Sequence, residues 1–176
     1  MNYGEIKTCD IANGKGVRVS LFVSGCTHHC KGCFNPETWD FNYGDFFGNR
    51  ERELILAELD KPYVSGLSLL GGEPFEPANQ WVLADFIEKV KKLHPDKNIW
   101  CYTGYLFDRD LVEGGAAWCD KTEKMLANID VLVDGTFEEK LKDISLAFRG
   151  SSNQRIIDVP ESLKEGRVVV MNLDRQ

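Results

Sequence analysis

An open α/β fold built on a mainly parallel sheet is what this sequence predicts, on three observations. Short runs of branched apolar residues alternate with amphipathic stretches, the order that builds strand and helix by turns. The residues with most chemical character sit just after those runs, where a parallel sheet hands each strand to its next helix. And the chain has 176 residues, whereas a closed eightfold barrel takes about 250 and at least roughly 200, so only a partial, open (β/α) barrel fits.

The elements follow in order. Val17 to Ser24 (VRVSLFVS) is rich in branched residues and stops at Gly25, as a strand does. Asn49 to Leu59 carries Leu54, Ile55 and Leu59 at helical spacing and is closed by Lys61-Pro62. Val64 to Leu70 (VSGLSLL) is a second strand, ending in Gly71-Gly72-Glu73-Pro74. After Pro77, the set Val82, Phe86, Val90 with Leu83 and Ile87 marks the clearest helix in the chain. Asn98 to Thr103, Ile129 to Val133 and Arg167 to Leu173 read as further strands, with a short helix at Thr122 to Ala127. With no internal repeat, low-complexity tract or linker, residues 1–176 read as one domain.

Composition narrows the function. The 21 Lys and Arg against 28 Asp and Glu leave a net charge of −7, which argues against broad contact with a phosphate backbone and against direct nucleic-acid binding. No apolar run approaches the roughly 20 residues of a membrane span. The start, Met1-Asn-Tyr-Gly-Glu-Ile, has neither the basic beginning nor the apolar core of a secretory signal, so the expected location is the cytoplasm.

Three of the six cysteines crowd into Cys26-Thr-His-His-Cys30-Lys-Gly-Cys33. In a reducing compartment such a group reads as metal ligands rather than as a disulfide framework. Three thiolates on one loop can reach three corners of an iron–sulfur cube, while a fully ligated cluster needs four protein donors, so one iron stays open. An electron carrier normally closes all four positions; a catalyst keeps one for substrate. The competing reading is a zinc site of three Cys completed by His28 or His29, stabilising an interaction module, although both histidines read more readily as exposed loop residues. Cys9, Cys101 and Cys119 read as packing residues.

The triplet Cys26-x3-Cys30-x2-Cys33 followed by Gly71-Gly72-Glu73-Pro74 resembles the radical S-adenosylmethionine (SAM) superfamily. The stretch from Asp10 to Asn35, the Gly71 to Pro74 turn, Tyr102 to Tyr105 (YTGY), Val133 to Phe137 (VDGTF) and Arg149 to Arg155 (RGSSNQR) together resemble the activating proteins of the anaerobic, class III ribonucleoside-triphosphate reductase. The blocks run in collinear order over positions 10 to 155.

The resemblance implies a 4Fe-4S cluster held by Cys26, Cys30 and Cys33, whose open iron chelates the amino and carboxylate groups of SAM. One electron then cleaves SAM to methionine and a 5′-deoxyadenosyl radical, which takes a hydrogen from a glycine of the reductase, the protein substrate. SAM contacts are expected from Gly71, Gly72, Glu73 and Pro74, where the glycines let backbone approach a ligand and Pro74 biases Glu73 toward extended structure. Asp134, Asn153 and Arg155 are expected beside SAM or the partner, and Phe34 and Asn35 beside the cluster. Asp134 ends an apolar strand, where a carboxylate needs solvent or a donor; Thr136 follows at a position that varies among these proteins. With no further cysteine group, electrons come from an external one-electron reductant such as flavodoxin or ferredoxin. The alternatives are an activator of another glycyl-radical enzyme such as pyruvate formate-lyase, and a simple electron carrier.

Overall fold

A computed structural model of the chain describes residues 1–173. Its centre is an open seven-stranded sheet in the order β3-β1-β2-β4-β5-β6-β7. The strands are β1 (Asn2–Asp10), β2 (Val17–Val23), β3 (Asp45–Phe46), β4 (Val64–Gly71), β5 (Asn98–Tyr102), β6 (Val131–Asp134) and β7 (Arg155–Asp158). The helices are α1 (Asn49–Leu59), α2 (Pro77–Leu93), α3 (Thr122–Asn128) and α4 (Val159–Glu165). The parallel sheet expected from sequence is real at its centre, where β2, β4, β5 and β6 pair in parallel. Both edges are antiparallel, β3-β1-β2 on one side and β6-β7 on the other, so the sheet is mixed and does not close.

Alternation along each central strand divides its side chains between two faces. Val19, Leu21, Leu67, Leu69, Ile99, Cys101 and Leu132 join the main core with Ile55 and Leu59 of α1, Leu83, Ile87 and Val90 of α2, and Met125 of α3. The opposite face carries Trp100, Val131, Val133 and Ile156, against which Tyr102, Phe148, Met171 and Leu173 pack. That second face also holds Arg18, fully buried. Its five N–H groups are spent on neutral acceptors: Ser68 Oγ (2.6 Å), Lys15 O (3.1 Å), Asn98 Oδ1 (2.8 Å), Leu67 O (2.8 Å) and Asn98 O (3.2 Å). Its guanidinium also lies 5.5 Å from the Trp100 ring centroid. Burial pulls its pKa down to about 10, so it stays charged at neutral pH.

The segment Arg167 to Leu173, expected as a strand, makes only an isolated bridge between Ile157 and Val170. Two backbone bonds still join it to β7, from Asp158 N–H to Val169 O (3.0 Å) and from Met171 N–H to Ile156 O (2.7 Å), but Arg167 N–H donates to Ser162 O (3.3 Å) and Val169 N–H to Ser162 Oγ (2.9 Å), so the end of α4 cuts the ladder short. β6 begins two residues later than expected because the Ile129 amide closes α3 on Leu126 O (3.3 Å). Among the described residues no helix is long and apolar enough to cross a membrane.

Because β2, β4, β5 and β6 run the same way in matched register, with Val23 opposite Gly71 and Tyr102 opposite Val133, their carboxyl ends lie along one edge. The loops after them gather there.

Candidate functional site

Those loops, with the strand ends beneath them, surround a cavity of about 520 Å³. Cys26, Cys30 and Cys33 line it, together with Phe34, Asn35, Gly71, Gly72, Glu73, Arg149 and Gln154. The cysteine loop is held open by short-range geometry. Gly25 and Gly32 have positive φ, and His29 adopts the left-handed region at φ 49°, its ring stacked on Trp39 at 4.7 Å and 7°. Cys26 is nearly buried, and burial pushes its thiol up to about 12; burial raises Cys30 likewise. Backbone N–H groups nevertheless reach the sulfurs: those of His28 and His29 face Cys26, that of Phe137 faces Cys30, and Asn35 N–H donates to Cys33 Sγ at 3.4 Å. Such donors tune the potential of an iron–sulfur group.

The turn after β4 is fastened to the start of the cysteine loop. Gly72 N–H donates to Val23 O (2.7 Å), Glu73 N–H to Gly25 O (2.9 Å), and the Asn79 amide bridges Ser24 O (3.0 Å) and Glu73 O (2.9 Å). The glycines were expected to admit a ligand; the space a Cβ would take is in fact filled by protein. At Gly71 it would meet Phe22 Cα at 2.7 Å, and at Gly72 the carbonyl oxygens of Gly25 (2.7 Å) and Thr38 (2.9 Å). Close packing of β4 on β2 and the loop is what demands glycine here. Pro74 is not among the lining residues.

Glu73 is 1% exposed, and both carboxylate oxygens are in use. Oε1 accepts from Phe75 N–H (2.8 Å); Oε2 accepts from Gly104 N–H (2.8 Å) and from His28 Nε2 (2.9 Å). One carboxylate thus joins the loops after β2, β4 and β5. Burial works against charge on His28, yet the hydrogen bond and the charge of Glu73, with Glu76 and Asp110 beyond, more than offset it and raise its pKa. Sequence reasoning passed over His28 as an exposed loop residue; its side chain is 15% exposed. It also passed over Glu76, whose Oε1 accepts from Thr27 N–H (2.8 Å) and Thr27 Oγ1 (2.6 Å). Both pairings join residues more than forty positions apart, so no local pattern marked either one.

The later blocks divide. From RGSSNQR, Arg149, Gly150 and Gln154 line the cavity, while Asn153 and Arg155 do not. Asn153 donates to Thr136 O (2.8 Å). Asp134, fully buried at the end of β6, also lies outside the lining. Its Oδ1 accepts from Arg155 Nε (2.9 Å), and its Oδ2 from Arg155 Nη2 (2.5 Å) and Phe107 N–H (2.8 Å). Asp108 takes the same guanidinium at 2.8 Å, and the two carboxylates hold Arg155 above its ordinary pKa. Phe34 is 63% exposed, its ring 5.1 Å from that of Phe137 and under Lys142 Nζ. Of the other cysteines, Cys101 is core, but Cys9 is exposed and Cys119 half-buried, so the packing expected of all three holds fully only for Cys101.

The open α/β sheet gathers three thiols at its carboxyl edge, and residues 12–157 match the family model of the 4Fe-4S single cluster domain, which places the chain in the class of iron–sulfur proteins. Three similar proteins are each named anaerobic ribonucleoside-triphosphate reductase-activating protein. That of Haemophilus influenzae is 43% identical over 159 residues, covering 89% of this chain and 97% of the relative. That of Pasteurella multocida is 44% identical over 158 residues (89% and 96%), and that of Enterobacteria phage T4 is 40% identical over 156 (89% and 93%). This chain belongs to the family of anaerobic ribonucleoside-triphosphate reductase-activating proteins.

Proposed function

We propose that the chain is a radical SAM enzyme that activates an anaerobic ribonucleoside-triphosphate reductase by removing a hydrogen atom from a glycine of that larger protein. The observation that carries this reading is a single cavity whose wall receives three thiols from one loop and the Gly71-Gly72-Glu73 turn from the next. In this reading the whole chain is one domain, its open sheet a partial relative of the (β/α) barrel.

The donor set suits a 4Fe-4S cluster better than a lone ion. Zinc needs four donors about 2.0–2.3 Å from one point, and among the described residues no three His, Cys, Asp or Glu side chains are gathered closely enough to hold one metal ion. Three soft thiolates spaced round a cavity suit the separate corners of a cube. His28, which a zinc site would draw on, is engaged with Glu73. Held by Cys26, Cys30 and Cys33, the cluster would supply the electron that splits the sulfonium of SAM into methionine and the 5′-deoxyadenosyl radical.

The protein's own residues supply position and dryness. At about 520 Å³ the cavity lies within the roughly 300–1,000 Å³ usual for small-ligand sites. Phe22, Leu70, Phe34 and Phe137 give it apolar wall that keeps water from a reactive radical. Glu73, Asn35, Arg149 and Gln154 supply the polar groups that orient the charged and hydrogen-bonding parts of SAM. The electron comes from a separate reductant such as flavodoxin or ferredoxin.

The test is anaerobic reconstitution with iron and sulfide, dithionite reduction, and assay of 5′-deoxyadenosine with and without the reductase. A glycyl signal by electron paramagnetic resonance is expected only with the reductase present. Cys30→Ala is expected to abolish cleavage; full cleavage in that variant overturns the reading.

A further inference from the structure

The stretch Thr27-His28 lies between the first two cysteines, and each residue is gripped by a buried carboxylate of the turn that opens α2. Thr27 gives its N–H and hydroxyl to Glu76, 6% exposed; His28 gives Nε2–H to Glu73, 1% exposed. Neither carboxylate lies near its partner in sequence, the separations being 49 and 45 residues. The His28 ring is also confined sterically. Tyr105 lies 4.4 Å away between ring centroids, and a Cβ on Gly104 would meet the imidazole at 2.6 Å. The ring therefore occupies the space between the loops after β2 and β5, with its donor aimed at the one oxygen that the Gly104 amide also uses.

Resting on the function proposed above, we infer that His28 is a positioning residue for SAM. By donating to Oε2, it fixes the carboxylate of Glu73 in the cavity wall, so that the cysteine loop and the turn that meets SAM form one rigid piece. Without that donor, Oε2 keeps only the Gly104 N–H, and a buried carboxylate short of donors rotates or draws in water. The metal-binding loop keeps its cysteines and its Thr27 anchor, so the cluster still assembles. What is lost is the register between the two loops.

Two variants separate the donor from the bulk. His28→Leu fills the space against Tyr105 and Gly104 without a donor; His28→Gln restores an N–H that reaches Glu73. If either fails to fold by circular dichroism, His28→Ala replaces His28→Leu and His28→Asn replaces His28→Gln. In the reconstituted proteins, iron and sulfide contents are expected to match wild type. The KM for SAM in 5′-deoxyadenosine formation is expected to rise about tenfold to a hundredfold in His28→Leu, the scale of one charge-assisted hydrogen bond, with kcat changed less than about threefold. His28→Gln is expected to return KM to within about threefold of wild type. In the cluster-free protein, exchange of the Gly104 amide proton is expected to quicken about tenfold in His28→Leu and to recover in His28→Gln.

A wild-type KM and unchanged Gly104 exchange in His28→Leu overturn the inference. So does loss of iron and sulfide in both variants, which would make His28 a ligand, or failure of His28→Gln to rescue, which would mean that the lost donor is not what raises KM. Should wild type itself take up no cluster or cleave no SAM, the proposed function fails, and the inference about SAM falls with it; Gly104 exchange would then report the His28–Glu73 link alone.

Discussion

Glu73 and Asp134 look alike in position: each is a buried carboxylate at the carboxyl edge of the parallel strands. They differ in what satisfies them. Asp134 is taken up by the guanidinium of Arg155 and one amide, outside the cavity; Glu73 has no Arg or Lys partner among the described residues, is held by two amides and an imidazole, and stands in the cavity wall. A strand-end carboxylate is thus no ligand site by virtue of place and burial. Each accepts three hydrogen bonds, so the donors' nature decides: a bidentate guanidinium neutralises Asp134 outside the cavity, whereas Glu73 is held by single donors from the separate loops that surround the cavity.

The largest effect expected from this contrast is at the clamp. Arg155→Ala strands the Asp134 charge in the interior and should cost about 3–5 kcal/mol of stability, read by urea unfolding, while the KM for SAM stays within about twofold. A large change in KM with little loss of stability would place Asp134 in the SAM site and erase the distinction. Next comes Glu73→Gln, in which an NH₂ must face at least one of the donors now served. About 2 kcal/mol of stability should go, and here KM for SAM should rise.

Asp10 offers a third carboxylate to sharpen the comparison, since among the described residues it too has no directly bonded cation. Ser20 Oγ (2.6 Å), Asn13 Nδ2 (2.6 Å) and Ala12 N–H (2.8 Å) donate to it. Burial alone would raise its pKa, and these bonds more than offset that, leaving it below the ordinary value. A carboxylate so lowered stabilises the fold above its unfolded pKa and stops doing so as pH falls through its folded one. Asp10→Asn should therefore cost about 1 kcal/mol near pH 7, and the gap from wild type should shrink as the pH drops below about 4. A gap that widens in acid refutes the assignment. The smallest effect is expected at Asp158, whose side chain caps α4 by accepting Glu161 N–H at 3.0 Å; Asp158→Ala should cost about 0.5 kcal/mol and leave SAM cleavage untouched.

Much of this was legible before any coordinates. VRVSLFV and VSGLSLL declare themselves as buried parallel strands by branched, continuous apolarity, and α1 and α2 by spacing. The cysteine triplet stood out by local spacing alone, and the cavity brings all three together. β1 escaped because a strand reading NYGEIKTCD, flanked on its outer side only by the two residues of β3, buries little and carries no apolar alternation. α4 escaped although Asp158, Pro160 and Gly166 spell a cap, a first turn and a left-handed stop. Arg167 to Leu173 was misjudged because apolar content says nothing of how far a ladder runs: the segment bonds to β7 around Val170, while the end of α4 takes the Arg167 and Val169 N–H groups. His28 and Glu76 were out of reach for another reason: their roles rest on partners more than forty residues away, and local pattern carries no such information.

The guanidinium of Arg18 has a consequence for how the chain finds its shape. Its acceptors come from Lys15, from Leu67 and Ser68, and from Asn98, so no seat exists for it until β2, β4 and β5 have met. A slip of one residue would swing it to the helix side among aliphatic carbons, or leave it dry without acceptors, at a penalty no misaligned pairing recovers. The cation therefore works as a proofreader of assembly, tolerating one alignment of three strands and penalising the rest.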